Sequence, residues 1–161
     1  MQSNARTKIA AIVLSVSAVG GIAVHEGFRD KAYIPVKGDV ATIGYGSTTY
    51  EDGSKVKLGD TITRKDAEVL FKNKLNAFEQ GVRSCVKVPL YQHEYESFVS
   101  LSYNIGSKAF CDSTLVAKLN TYDYEGACKE ILKWDKFQGK PLKGLTVRRH
   151  HEYQQCIGEL K

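Results

Sequence analysis

The chain has 161 residues, of which 42% are apolar and 25% charged, and a net charge of +5. This length favours one domain with a substantial core, and the composition excludes a wholly disordered chain. The positive charge favours a polyanionic partner, either nucleic acid or an acidic cell envelope. Because the basic residues are scattered and no RNA-binding or zinc-finger signature accompanies them, nucleic acid is not expected as a partner.

The first feature in chain order is an uncharged apolar run at residues 9–24, preceded by Arg6 and Lys8. A basic flank before an apolar run is the layout of an export signal. As a helix the run spans about 24 Å, short of a hydrocarbon core of roughly 30 Å. Three interpretations are open: a cleaved signal peptide, a buried first helix of a cytosolic protein, and an uncleaved anchor that leaves the bilayer and packs into the domain. The third is favoured, because cleavage would leave Glu26 near a frayed terminus.

Two carboxylates and a hydroxyl follow the apolar run. Glu26 comes almost directly after it, and Asp39 and Thr42 lie where a short strand opens. This arrangement predicts one acid at a helix end, and a second acid with a hydroxyl on a hairpin that faces it. Two carboxyl groups across a cleft are the minimum equipment for cleaving a glycosidic bond. The stretch therefore predicts a glycosidase site.

Residues 32–58 are predicted to form a small β-rich lobe. Short β-prone runs punctuated by Pro and Gly predict a hairpin whose return strand begins at Thr42, and a third short strand at 56–58. From Thr63 the pattern is helical, and residues 63–161 are predicted to form a larger helical lobe. A cleft between two lobes is a usual binding site, so we expect the substrate there.

Helical periodicity predicts five helices in the second lobe. The first begins at a capping box formed by Thr63 and Asp66, and Gly106 ends the second. A Pro/Gly loop at 139–144 precedes the closing helix. The predicted extents are about 63–82, 92–104, 113–119, 122–134 and 145–160.

Four cysteines lie far apart in the sequence: Cys85, Cys111, Cys128 and Cys156. Their spacing excludes a CxxC pair and, with it, a zinc or thioredoxin-type motif. An even count predicts two disulfides if the chain is exported and four buried thiols if it is not. The adjacent His150 and His151 point to different sides of a helix, and no HExxH sequence exists, so no metal site is predicted.

Five motifs follow one another along the chain: Glu26-Gly-Phe-Arg29, Ala32-Tyr33, Thr42-Ile-Gly-Tyr-Gly46, Phe98-Val-Ser-Leu-Ser-Tyr-Asn-Ile-Gly106 and Gly144-Leu-Thr-Val-Arg-Arg149. In this order they resemble the phage endolysins, the lysozymes of glycoside hydrolase family 24. The apolar run resembles the signal-anchor-release segment of one subgroup. The resemblance implies an α+β, lysozyme-like fold, with residues 1–25 as the anchor segment or N-terminal helix and residues 26–161 as the catalytic domain.

The resemblance implies hydrolysis of the β-1,4 bond between N-acetylmuramic acid and N-acetylglucosamine in peptidoglycan, which lyses the host cell. It implies Glu26 as general acid, with Thr42 and an aspartate that position the attacking water. The family places that aspartate where Pro35 stands here. Asp39 is the only acid in the hairpin and is our candidate, and the extra residue before Thr42 resembles a bulge that aims it into the cleft. A turn role is the alternative for Asp39, and Asp30 is an alternative carboxylate.

The resemblance also implies substrate contacts by Tyr103, Asn104 and Arg148. Arg149 is the competing choice for Arg148, and a structural salt bridge is the alternative for both. Trp134 is interpreted as a core residue rather than a sugar-stacking ring. The implied disulfides are Cys85–Cys111 and Cys128–Cys156.

The implied partners are peptidoglycan glycan strands and, transiently, the inner membrane through residues 9–24. The chain is expected to be a monomer without a cofactor, exported, tethered and then released to the periplasm of the host bacterium. Since no cysteine precedes Cys85, control without disulfide exchange is expected. Two other functions stay open: a lytic transglycosylase that uses Glu26 alone, and a non-catalytic peptidoglycan-binding homologue.

Overall fold

The computed structural model describes residues 5–160, which divide into two compact units. One unit is Val16–Asn76, and the other joins the chain up to Ser15 to the chain from Ala77 onward. Helices and small antiparallel sheets together give the α+β class predicted from the sequence. The elements are α1 Val16–Glu26, β1 Arg29–Tyr33, β2 Thr42–Gly44, α2 Arg64–Cys85, α3 Gln92–Ile105, α4 Ser107–Cys111, α5 Thr114–Leu119, α6 Tyr124–Glu130, β3 Lys136–Phe137, β4 Lys140–Pro141 and α7 Lys143–Cys156, with 3₁₀ turns at Ile9–Ala11 and Ile131–Lys133.

The core of the larger unit surrounds α3, in which every residue from Glu94 to Tyr103 is buried. Apolar side chains of α5, α6 and α7 pack around this helix, and Ile12 of the N-terminal stretch joins the same cluster at 3% exposure. Two disulfides tie the surrounding helices together, and they join the cysteine pairs that the resemblance implies. The bonds are Cys85–Cys111, between α2 and α4, and Cys128–Cys156, between α6 and α7.

The smaller unit is built on the antiparallel hairpin of β1 and β2. Arg29 pairs with Gly44 and Tyr33 pairs with Thr42, so β1 uses more residues than β2 between the two pairs and its register shifts. Beyond the hairpin, α2 begins with the predicted cap, because the Thr63 hydroxyl oxygen accepts a hydrogen bond from the backbone N–H three residues on.

The apolar run at 9–24 is not one helix. A 3₁₀ turn covers its start, and α1 begins only at Val16. The break has a physical cause, since the N–H of Leu14 donates to the Glu79 carboxylate at 3.0 Å and the N–H of Ser15 donates to the Glu96 carboxylate at 2.9 Å. Amides held by carboxylates cannot enter a helical ladder. Within residues 5–160, no helix combines the length and apolar character needed to cross a membrane.

Several other short elements differ from the sequence prediction. The predicted third strand at 56–58 is absent from the described chain, which has only a single bridge from Thr49 to Lys55 nearby. The predicted loop at 139–144 contains the strand β4, which pairs with β3. Helix α4 was not predicted. Elements of two to five residues carry too few positions for periodicity to reveal them.

Close packing seats β2 on α2. Gly44 has φ +65°, and a Cβ built on it lies 3.0 Å from the Cβ of Ala67. The neighbouring Tyr45 ring contacts Phe28 and Phe71, with ring centroids 5.4 and 5.3 Å away. A side chain at position 44 therefore meets both a backbone penalty and a steric one.

We expect Gly44→Ala to lower the free energy of unfolding by about 2–4 kcal/mol, because it combines left-handed strain with overpacking. Gly53→Ala is the matched control, since Gly53 has φ +83° but open space around it. That variant should cost only about 1–2 kcal/mol, the strain alone. Denaturant melts of both proteins measure the difference, and equal losses would show that the contact with Ala67 does not limit residue 44.

Candidate active site

Glu26 is the last residue of α1 and is half-buried. The N–H of Gly27 makes the last helical hydrogen bond, to the Ala23 carbonyl at 3.0 Å, and the helix ends there because Gly27 has φ +68°. Strand β1 then begins at Arg29. A carboxylate on the last residue of a helix is held by a rigid element rather than by a loop. Such placement suits a group that must transfer a proton at a fixed position.

Lys74 is near enough to Glu26 for their charges to interact, and no motif in the sequence predicted it. Its ammonium, on α2, donates to the Gly46 carbonyl at 2.8 Å. Burial lowers the pKa of Lys74, and the charge of Glu26 opposes that shift. A signal existed in the sequence, because Lys74 falls between the core residues Phe71 and Leu75 of α2. A lysine on the buried face of a helix needs a partner.

Thr42 opens β2 and is buried. Its hydroxyl donates to the Val40 carbonyl at 3.2 Å. A hydroxyl has one donor and two acceptor positions, so its oxygen is still able to accept a hydrogen bond from water. The water-positioning role of Thr42 stays a prediction.

Asp39 lies in the exposed loop between β1 and β2. Its N–H donates to the Val36 carbonyl at 2.9 Å, and its carboxylate accepts from the N–H of Val40 at 2.8 Å. Both bonds fit the turn alternative. The register shift of the hairpin lies within β1, before this loop. Asp30 is exposed on β1. The choice of Asp39 as water-positioning carboxylate therefore stays a prediction.

A polar groove of about 360 Å³ runs along the smaller unit, with Lys74 as part of its wall. Hydroxyls, an amide, a carboxylate and one apolar side chain make a lining suited to a sugar. The lining residues are Ser47, Thr48, Thr49, Tyr50, Glu51, Leu70, Asn73 and Lys74. A larger and more acidic hollow of about 710 Å³ adjoins it and shares Tyr50, Glu51 and Leu70. The predicted catalytic residues Glu26, Asp39 and Thr42 are absent from both linings.

The two predicted substrate contacts on α3 differ in exposure. Tyr103 is buried, and its ring centroid lies 5.1 Å from that of Phe78. Asn104, the next residue, is exposed near the end of the helix. An exposed amide is able to bind a sugar, whereas Tyr103 also serves packing. Both substrate roles stay predictions.

Arg148 and Arg149 are both buried against Glu152 on α7. Arg148 Nε lies 3.1 Å and Arg149 Nη2 3.0 Å from the same carboxylate oxygen, which also accepts from the Ser100 hydroxyl. Burial raises the pKa of Glu152, and the charges of Arg149 and Arg148 oppose that shift. These contacts favour the structural salt-bridge alternative for Arg149. Trp134 packs against the core, as its interpretation from the sequence requires.

Comparisons with known proteins agree with this architecture. The family described as Phage lysozyme matches residues 23–152. The endolysin of Salmonella phage P22 is 38% identical over 139 residues, which are 86% of this chain and 94% of that protein. The SAR-endolysin of Enterobacteria phage P21 is 31% identical over 149 residues, or 91% and 88% of the two chains. The solved endolysin from Escherichia coli O157:H7 phage FAHEc1 is similar over 99% of this chain and 98% of its own, with 30% identity and a TM-score of 0.83.

The family match and the structural similarity confirm the lysozyme-like α+β fold that the motifs imply. They also confirm the enzyme class, a hydrolase that lyses peptidoglycan. The chain belongs to the phage lysozyme family, as an endolysin of the glycoside hydrolase family 24 type.

Proposed function

We propose that this endolysin hydrolyses the β-1,4 bond between N-acetylmuramic acid and N-acetylglucosamine, with Glu26 as general acid. The observation that carries the proposal is the placement of Glu26, half-buried at the end of α1 and close to Lys74 of the polar groove. A general acid has to be held beside the sugar-binding surface by rigid elements. The groove is the proposed sugar-binding surface, and its lining belongs to the same unit as Glu26.

In the proposed reaction, Glu26 donates its proton to the leaving glycosidic oxygen while positive charge develops on the sugar ring. A water attacks from the opposite face, positioned by Asp39 and by the oxygen of Thr42. Asn104, Tyr103 and Arg148 are proposed to contact the glycan. Because the water attacks the face opposite the leaving group, the expected product has inverted configuration. This reaction requires the two carboxyl groups to lie roughly 6.5–9.5 Å apart, so that the water fits between them.

Replacing the acid tests the central assignment. We expect Glu26→Gln to reduce the rate of turbidity loss of exposed cell-wall material by about 10²–10⁴-fold, because the amide cannot supply the proton. Glu68→Gln is the matched control, since Glu68 is an exposed glutamate of α2 that belongs to neither hollow of the smaller unit. It should leave the rate within about twofold. Retained activity in Glu26→Gln, with the fold intact by circular dichroism, would contradict the proposal.

The water-positioning pair requires a separate test. We expect Asp39→Asn and Thr42→Val each to slow hydrolysis, whereas Thr42→Ser keeps the hydroxyl and most of the rate. Mass spectrometry of the products distinguishes the alternatives: reducing ends for a hydrolase, anhydro ends for a lytic transglycosylase, and no cleavage for a binding protein. Full activity of Asp39→Asn with anhydro ends would transfer the assignment to the transglycosylase that uses Glu26 alone.

We further infer that residues 9–24 tether the chain to the inner membrane before its release to the periplasm. The similarity to SAR-endolysins supports this proposal, as does the character of α1. Val16 and Val24 are 91% and 81% exposed, and Ile22 is the helix's buried residue. These exposed valines lie on an uncharged run and give it an apolar surface that is compatible with lipid.

Val16 lies at the middle of the run, so it offers a selective test. In a bilayer, Val16→Asp should cost about 2.5–3.5 kcal/mol, whereas in the described structure it stands exposed at the start of α1, where an acid is tolerated. We expect cell fractionation to find the wild type and Val16→Ala in the membrane until the membrane potential is collapsed, and then in the periplasm. Val16→Asp should never enter the membrane fraction. Equal distribution of the three chains would contradict the tether.

A further inference from the structure

Arg6 lies in a cage of three side chains, Tyr91, Tyr124 and Glu94, which we call the Arg6 cage. Its guanidinium carbon is 3.5 Å from the Tyr124 ring centroid and 4.3 Å from that of Tyr91. Stacking on two aromatic faces suits the planar guanidinium. All four residues belong to the larger unit.

The third side of the cage is an ion pair. Arg6 Nη2 donates to one oxygen of Glu94 at 2.8 Å, and Nε donates to the other at 3.1 Å. The Glu94 side chain is nearly fully buried and also accepts the N–H of Tyr91 at the start of α3. The hydrogen bond to Glu94 raises the pKa of Arg6, so the guanidinium keeps its charge.

The chain that follows Arg6 is pinned along the same unit. Thr7 and Leu90 exchange two backbone hydrogen bonds, of 2.8 and 2.9 Å. Further along, Ile12 is buried in the core and its carbonyl accepts from Arg83 at 2.7 Å. The amides of Leu14 and Ser15 reach carboxylates, as described above. Arg6 is the first charged residue of this pinned segment.

We propose that the Arg6 cage is a latch that holds residues 6–15 on the larger unit once the N-terminal segment is out of the membrane. The inference deepens the proposed release step and rests on it for its biological use. In the tethered chain the basic flank of the run stays on the cytoplasmic side, out of reach of an exported cage. One arginine thus has two successive roles, first in orienting the anchor and then in locking the released form.

The latch predicts a difference between two positive charges of the same flank. Arg6 is caged, whereas Lys8 is exposed. Both charges contribute to membrane orientation through the same rule. Only Arg6 should matter for the docking of residues 6–15 on the larger unit. A lysine at this position should hold the segment less well, because an ammonium group cannot make the two-pronged hydrogen bond to Glu94 and has no planar face to stack on the tyrosine rings.

Hydrogen exchange of the full-length protein, purified from the soluble fraction, measures the latch directly. The reporters are the backbone amides of Thr7, Leu14 and Ser15, whose acceptors all lie on the larger unit. We expect Arg6→Ala to speed their exchange by about tenfold or more, Arg6→Lys to have an intermediate effect, and Lys8→Ala to leave them unchanged. Equal exchange in Arg6→Ala and Lys8→Ala would overturn the latch.

The cage wall gives an independent test that does not alter the N-terminal segment. Tyr124→Leu removes an aromatic face, whereas Tyr124→Phe keeps that face and loses only the hydroxyl bond to the Pro89 carbonyl. Faster exchange in the leucine variant alone supports the latch, and equal effects overturn it. Glu94 is a poor target because it also caps α3. Cell fractionation tests the tethering separately. A chain that never binds the membrane would overturn the proposed release step, whereas hydrogen exchange would still decide whether the Arg6 cage holds residues 6–15.

Discussion

The absence of a side chain at Gly44 allows β2 to lie directly against Ala67 of α2, and the electrostatics of the smaller unit follow from that approach. With the strand this close, the Lys74 ammonium reaches the Gly46 carbonyl, and Tyr45 packs on Phe71. An anchored ammonium keeps a fixed position relative to Glu26, whereas a freely rotating lysine would be solvated and screened. The apolar contact between Gly44 and Ala67 thereby helps to fix the position of the Lys74 charge relative to Glu26.

The N-terminal segment explains why the larger unit keeps several acids with little exposure. Glu79 and Glu96 accept the amides of Leu14 and Ser15, and Glu94 accepts Arg6. Backbone amides that leave water need acceptors, and a buried carboxylate needs donors. If the segment is elsewhere, as in a tethered chain, both sets of groups lose partners. The polar contacts therefore favour docking of residues 6–15 on the larger unit. The exposed valines of α1 leave the following part of the apolar run compatible with lipid.

The sequence predicted α2, α3 and α5 because each of these helices carries its own cap or stop signal. Thr63 caps α2, Ser113 caps α5, and Gly106 ends α3 with φ +96°. The break in the apolar run was not predictable in the same way, since it depends on carboxylates more than sixty residues away in the chain. For the candidate site, the motifs led to Glu26 and Thr42. Lys74 lies outside these motifs, and its only signal in the sequence was its position between the apolar residues Phe71 and Leu75.

Lys74 also bears on the question of the second carboxylate. Cleavage of a glycosidic bond develops positive charge on the sugar ring, and an ammonium close to Glu26 opposes that charge. Once Glu26 has given up its proton, its own carboxylate offsets Lys74 but leaves no further negative charge for the ring. A second acid restores the balance and orients water as well, which is the role proposed for Asp39.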